Sequence, residues 1–189
     1  MNNEIGGRLA ELEHASTDFR ALMRDITPER FTWSPAPGVW SIGLCIEHLI
    51  VVGDLFAQSI DRSVRHARKR QKFFASGSNH YQYGFLGRWF IRVMEPPVKL
   101  KARAPRKYVP PSRLTFAEAE SRFLSMQDHL RRAFASADGL NLAKVRMRSP
   151  ATPLIRLQLG VWLGVIAAHE RRHICQARRL VQMEAFSKK

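Results

Sequence analysis

Apolar residues recur at helical spacing in four separate stretches of this chain. Between Ile5 and Ile26, the residues Leu9, Leu12, Phe19, Leu22, Met23 and Ile26 fall near one face of a 3.6-residue repeat. Thr27-Pro28 then predicts a stop. Phe31 to Val39 holds Pro35, Pro37 and Gly38 and reads as a loop. Ser41 is a suitable N-cap for a second helix running to about Lys72 through Ile42, Leu49, Val52, Leu55, Phe56 and Ile60. Thr115-Phe116-Ala117-Glu118 has the form of a capping box, opening a third helix through Phe123, Met126, Leu130, Ala133 and Phe134. Asp138-Gly139 closes it. After Pro150 and Pro153, a fourth helix is expected from about Ile155 to Met183.

Ala75 to Arg113 breaks this rhythm. Gly84 to Met94 suits a short helix, whereas Glu95 to Ser112 is rich in proline and basic residues. The stretch is too long for an ordinary helix connection and reads as a crossover or lid. Such a crossover would let the second and third helices run parallel. Four amphipathic helices without strong strand alternation predict an all-α bundle. No internal repeat is visible, and 189 residues suit a single domain spanning 1–189.

Composition changes this picture in one respect. Thirty-one Lys and Arg stand against 16 Asp and Glu, a net charge of +15. That excess draws polyanions non-specifically, nucleic acid among them. Arg62 to Lys72 and Lys99 to Lys107, with Phe73, Phe74 and Trp89 nearby, form a candidate anion-binding surface, although no helix carries a recognition motif of a DNA-binding fold. The N-terminus has no signal-peptide core, and the apolar run Leu157 to Ala168 is too short to span a bilayer. Two distant cysteines, Cys45 and Cys175, suggest no disulfide framework. A cytoplasmic protein with no transmembrane segment is expected.

The candidate chemistry lies in three histidines. His169 and His173, in H-E-R-R-H, are spaced i,i+4 on a stripe shared with Trp162, Ile166, Gln176 and Leu180. Two imidazoles so spaced lie on one helix face, roughly 6 Å apart along the axis, and can chelate one cation. His48 lies on the apolar stripe of the second helix with Leu44, Val51, Val52 and Leu55. A lone inward histidine is ordinarily a hydrogen-bonded core residue. Three of them, two at chelating spacing, predict a three-nitrogen metal site with open positions. His14, His66, His80 and His129 sit on polar or basic stretches and are expected at the surface.

H-E-R-R-H also matches the H-E-x-x-H pattern of zinc proteases, with Glu170 as general base. Only sixteen residues follow His173, none of them His, so a third ligand at protease-like spacing is lacking. Glu170 points about 100° away from His169 around the helix. Gln176, one turn beyond His173, could orient a ligand or a water. Cys45 reads as a packed core thiol, Trp40 and Trp162 as core aromatics and pocket walls, and Tyr81, Tyr83 and Tyr108 as residues able to reach over the pocket from the crossover.

Two motifs carry a resemblance to a known family. Trp40-Ser41-Ile42 leads to His48, preceded by Trp33-Ser34-Pro35-Ala36-Pro37-Gly38, and H-x-x-x-H-x-x-Q follows about 120 residues later as His169, His173 and Gln176. In this order they resemble the DinB-like (YfiT-type) superfamily of metalloenzymes. The resemblance implies a four-helix bundle of up-down-down-up course with one divalent ion, zinc or nickel, held by His48, His169 and His173. It also implies frequent homodimers and a small-molecule substrate. Members include transferases using low-molecular-weight thiols and thiol-dependent isomerases. A cation held by three neutral imidazoles keeps its full charge and can activate either a thiol or a water, so thiol transfer and hydrolysis are both expected chemistries, beside a non-catalytic metal or anion binder. Imidazole ligands do not choose among first-row metals.

Overall fold

The computed structural model describes residues 2–70, 81–97, 104–111 and 113–183. The chain is mostly helical: α1 (Asn3–Arg24), α2 (Pro28–Thr32), α3 (Ile42–Arg70), α4 (Phe85–Met94), α5 (Phe116–Ser136) and α6 (Leu159–Val181), with a two-stranded antiparallel ribbon of β1 (Arg146–Arg148) and β2 (Arg156–Gln158).

Local chemistry starts and stops these elements where the side chains allow. The Asn2 side chain accepts from the Glu4 amide at the head of α1. Ser41 Oγ accepts from the Leu44 amide at 3.2 Å, capping α3 as its sequence predicts. The Thr115–Glu118 capping box is complete, each side chain bonded to the other's backbone amide. Behind α5, Gly139 takes φ +79°, the left-handed turn that a glycine adopts without a Cβ penalty.

Two segments differ from expectation. Thr27-Pro28 ends α1 but also begins α2: Thr27 caps it and Pro28 occupies its first turn, where a missing N–H costs nothing. This turn buries Phe31 completely, edge-on to Phe116 at 5.6 Å. The fourth long helix begins at Leu159 rather than Ile155, because Arg156–Gln158 pairs with Arg146–Arg148. Met147 and Leu157 face each other and are buried, whereas Arg146, Arg148 and Arg156 point outward. Three-residue strands are too short to register as alternation. The Trp162 indole donates to the Met147 carbonyl at 2.9 Å and ties α6 to this ribbon.

A single apolar core runs between the long helices, with Phe19 and Phe123 stacked at 4.1 Å. Glu47, near the head of α3, accepts from the Arg113 amide just before α5, and Arg68, near its tail, donates to the carbonyls of Ser136 and Asp138. Arg178 pairs with Asp18, and Arg171 with Glu11, between α6 and α1. α3 is long and apolar enough to cross a membrane, but 72% of its most apolar window is buried inside the protein, as in the core helix of a soluble protein.

The crossover is pinned to the bundle at both ends. Tyr81 donates to the Leu140 carbonyl and Tyr83 to Glu4 at 2.7 Å. Gly87 and Ile91 of α4 lie against Val161 and Gly164 of α6. A Cβ added at Gly160 would meet Tyr83 Oη and come within 2.5 Å of its Cζ. Gly160→Ala is therefore expected to swing the Tyr83 ring out, break its bond to Glu4 and cost about 1–3 kcal/mol. Urea midpoints of Gly160→Ala, Tyr83→Ala and the double variant check this. The double variant should be no less stable than Tyr83→Ala.

Candidate metal centre

His48 projects from the first half of α3, His169 from the middle of α6 and His173 one turn further on. The three rings meet in a near-equilateral cluster with centroids 5.0 Å (His48–His169), 4.6 Å (His48–His173) and 4.5 Å (His169–His173) apart. One ligand nitrogen from each lies within 4.8 Å of the other two. His48 Nε2 and His169 Nε2 stand 3.1 Å apart. Two nitrogens each about 2.0–2.1 Å from a common ion are separated by about this much. The i,i+4 geometry of α6 and the facing position of α3 thus bring together the three imidazoles named from the sequence, a group that could hold a metal ion.

The backbone around the cluster fixes its orientation. His48 Nδ1 lies 2.6 Å from the Tyr108 carbonyl. A carbonyl can only accept, so the neutral ring carries its hydrogen on Nδ1 and turns the Nε2 lone pair towards His169. A ligating histidine is commonly held by such a bond on its other nitrogen. Trp40 closes one side, its ring 4.8 Å from His48 and 5.9 Å from His173, stacked on the latter.

Electrostatics favour neutral imidazoles. Burial lowers the pKa of His48, against the raising effect of the Tyr108 carbonyl. Burial and the neighbouring histidines hold His169 well below its ordinary value, and burial brings His173 down to about 3. The Arg172 guanidinium adds to the lowering at all three. At neutral pH each ring therefore offers a lone pair rather than a proton. His173 Nδ1 is buried without a hydrogen bond of acceptable geometry, although the Gln176 side chain acts on this ring and raises its pKa somewhat. A buried nitrogen left in that condition fits a group that binds a cation.

Other candidates fall into place around this centre. Gln176 is half-buried one turn from His173. Glu170 turns away from the histidines and into the core, where Gln127 Nε2 donates to it at 2.9 Å, so the protease-like role has no geometric basis. Cys45 is fully buried, and burial pushes its thiol up to about 12. Tyr81 and Tyr83 pin the crossover beside Asn2, Glu4 and Leu140, at the other end of the bundle, and Tyr108 contributes its carbonyl rather than its hydroxyl. His14 and His66 are exposed, whereas His129 is half-buried between Asp54 and Asp61, at 3.5 and 3.4 Å. His80, Phe73, Phe74, Lys72 and Lys99 lie outside the described residues.

Three participants escape a reading of side-chain types. The Tyr108 carbonyl has no sequence signal, since any residue supplies one. Gln127 had a signal: it is a polar residue beside the inward positions Phe123, Met126 and Leu130, and it is 2% exposed. Arg172 sits off the histidine stripe yet reaches the Val93 carbonyl at 3.1 Å, bringing the end of α4 beside the centre.

No curated protein and no solved structure matches this chain. A family model described as the DinB superfamily matches residues 11–177, a span that includes all three histidines. The chain belongs to the DinB superfamily.

Proposed function

We propose that this protein is a divalent-metal-dependent enzyme whose ion is held by His48, His169 and His173. It joins a low-molecular-weight thiol to a small electrophile, or catalyses a related isomerisation. The observation that carries this reading is the convergence of three neutral imidazoles from two helices, His48 and His173 buried and His169 half-buried. A bound divalent ion, zinc or nickel, would supply Lewis acidity and lower the pKa of a thiol or water beside it. The residues of the chain account for the rest. The Tyr108 carbonyl orients His48, Trp40 keeps bulk water from one side, and Gln176 braces His173. Arg172 adds positive charge that favours an anionic reactant over a neutral one.

The pairings of α3 with α5 near both their heads and their tails, and of α1 with α6 through Asp18–Arg178 and Glu11–Arg171, support an up-down-down-up course. We further place the protein in the cytoplasm as one domain over 1–189, working as a homodimer and meeting nucleic acid only through non-specific charge. Hydrolysis at the same centre is the second reading, because a water and a thiol compete for the same open positions.

Metal content by elemental analysis, on protein purified without a metal column, comes first, followed by turnover of small electrophiles with and without added thiols. About one ion per chain and thiol-dependent product formation are expected. Product that forms equally without thiol would make the protein a hydrolase. A loaded centre inert to both would leave a metal-binding protein, and a protein that takes up no divalent ion would refute the centre itself.

A further inference from the structure

The crossover presents an apolar face that none of the described residues covers. On α4, Gly87 is buried and Ile91 lies against α6, so the opposite side of the helix faces solvent. Phe85 is 78% exposed, Leu86 56% and Trp89 43%. They stand at i, i+1 and i+4, one contiguous patch of roughly 300–400 Å², the size of the largest apolar patch on an ordinary monomer, which is often functional. Arg88 and Arg92 are also exposed and line one edge of it. α4 contains no carboxylate, and Glu95 just beyond it is taken up by Arg171 at 2.5 and 3.1 Å.

We propose that this face of α4 docks the protein on an anionic membrane surface. Phe85, Leu86 and Trp89 enter the boundary between headgroups and acyl chains, while Arg88 and Arg92 meet lipid phosphates. Charge decides between the possible occupants. A second copy meeting this same face would set Arg88 and Arg92 of the two chains against each other with no carboxylate on α4 to offset them, which repels at this contact whatever other face a homodimer uses. A nucleic acid would match the arginines but leave the Phe85–Leu86–Trp89 patch in water. An anionic bilayer satisfies both halves, and a Trp/Phe/Leu face bordered by Arg is the composition of helices that lie in that interface. The end of α4 sits beside the histidines through Val93 and Arg172, so docking would set the centre close to the lipid surface.

The test uses the whole protein with vesicles of phosphatidylcholine alone and vesicles containing about 30% phosphatidylglycerol, at about 0.15 M salt. Co-sedimentation is expected only with the anionic vesicles. Phe85→Ser/Trp89→Ser should weaken it at least about 10-fold, and Arg88→Gln/Arg92→Gln should reduce the preference for anionic lipid. Circular dichroism would show that the exposed substitutions leave the helices intact. As a measure independent of those variants, Trp89 in the wild-type protein should become shielded from iodide on binding, and Trp89→Phe, which should still bind, assigns that change among the four tryptophans. Absence of binding, or binding unchanged in Phe85→Ser/Trp89→Ser, would overturn the proposal. Self-association abolished by the same pair of substitutions would assign the face to a second copy instead.

Discussion

His169→Ala is expected to lower divalent-metal affinity by on the order of 10²–10³-fold while leaving the protein folded. The physical basis is the number of nitrogens that meet at one point. His169 Nε2 stands 3.1 Å from His48 Nε2 and its ring is 4.5 Å from that of His173, so removing it leaves two of three nitrogens to hold an ion. The loss should exceed the 10- to 100-fold typical of removing a residue that only orients a ligand. Below pH 6.5, the ordinary imidazole value, the metal-free variant should be at least as stable as the metal-free wild type. The imidazole it loses is held well below its ordinary pKa, a condition that favours unfolding whenever the ring is protonated in the unfolded chain. Metal titration followed by calorimetry, with thermal melts in chelator, separates the two effects. His14→Ala, at an exposed position, should change neither. Equal affinity in wild type and His169→Ala would remove His169 from the centre.

How far the sequence discloses this site follows from how each contribution is encoded. Spacing encodes the histidines: i,i+4 on α6 forces two rings onto one face, and the apolar company of His48 turns it inward. Thr115 with Glu118 encodes the start of α5 just as directly, since both partners of the cap are side chains within one turn. The orienting carbonyl of Tyr108 lies 60 residues from His48 and belongs to the backbone, so no residue type announces it. The β1–β2 ribbon is obscured for a different reason. Arg-Met-Arg and Arg-Leu-Gln each give one buried side chain between two polar ones, and three residues cannot separate a strand from the lead-in to a helix. The tyrosines of the crossover were equally open in sequence: their ring chemistry suits a pocket, but Tyr83 is committed to Glu4 and Gly160 by tertiary packing alone.

Glu170→Gln is expected to stabilise the metal-free protein increasingly as pH rises. Glu170 is 2% exposed, and burial lifts its carboxyl from an ordinary 4.5 to about 8, against the lowering effects of Gln127 and Arg171. Between those two values the folded chain binds more protons than the unfolded chain, so stability falls as pH rises through this window. The accumulated penalty above pH 8 is on the order of 5 kcal/mol, from a rise of 4.5 to about 8 at 1.36 kcal/mol per pKa step. A glutamine does not titrate. Stability curves of wild type and Glu170→Gln should therefore keep a constant separation below pH 4.5, diverge between pH 4.5 and 8 in favour of the variant, and run parallel again above. The histidines act in the opposite sense at acid pH, losing stability as pH falls, but they are common to both proteins and cancel in the difference. Geometry favours the amide as well. Gln127 Nε2 already donates to Glu170 Oε2, while Glu170 Oε1 and Gln127 Oε1 are both buried without a partner, and only a donor on residue 170 can join them. A protonated Glu170 supplies that donor, and so does a glutamine at every pH. Urea unfolding from pH 4 to 9 in chelator reads the difference directly, and a pH-independent difference would mean that Glu170 is ionised in the fold and that its place in the core rests on another partner.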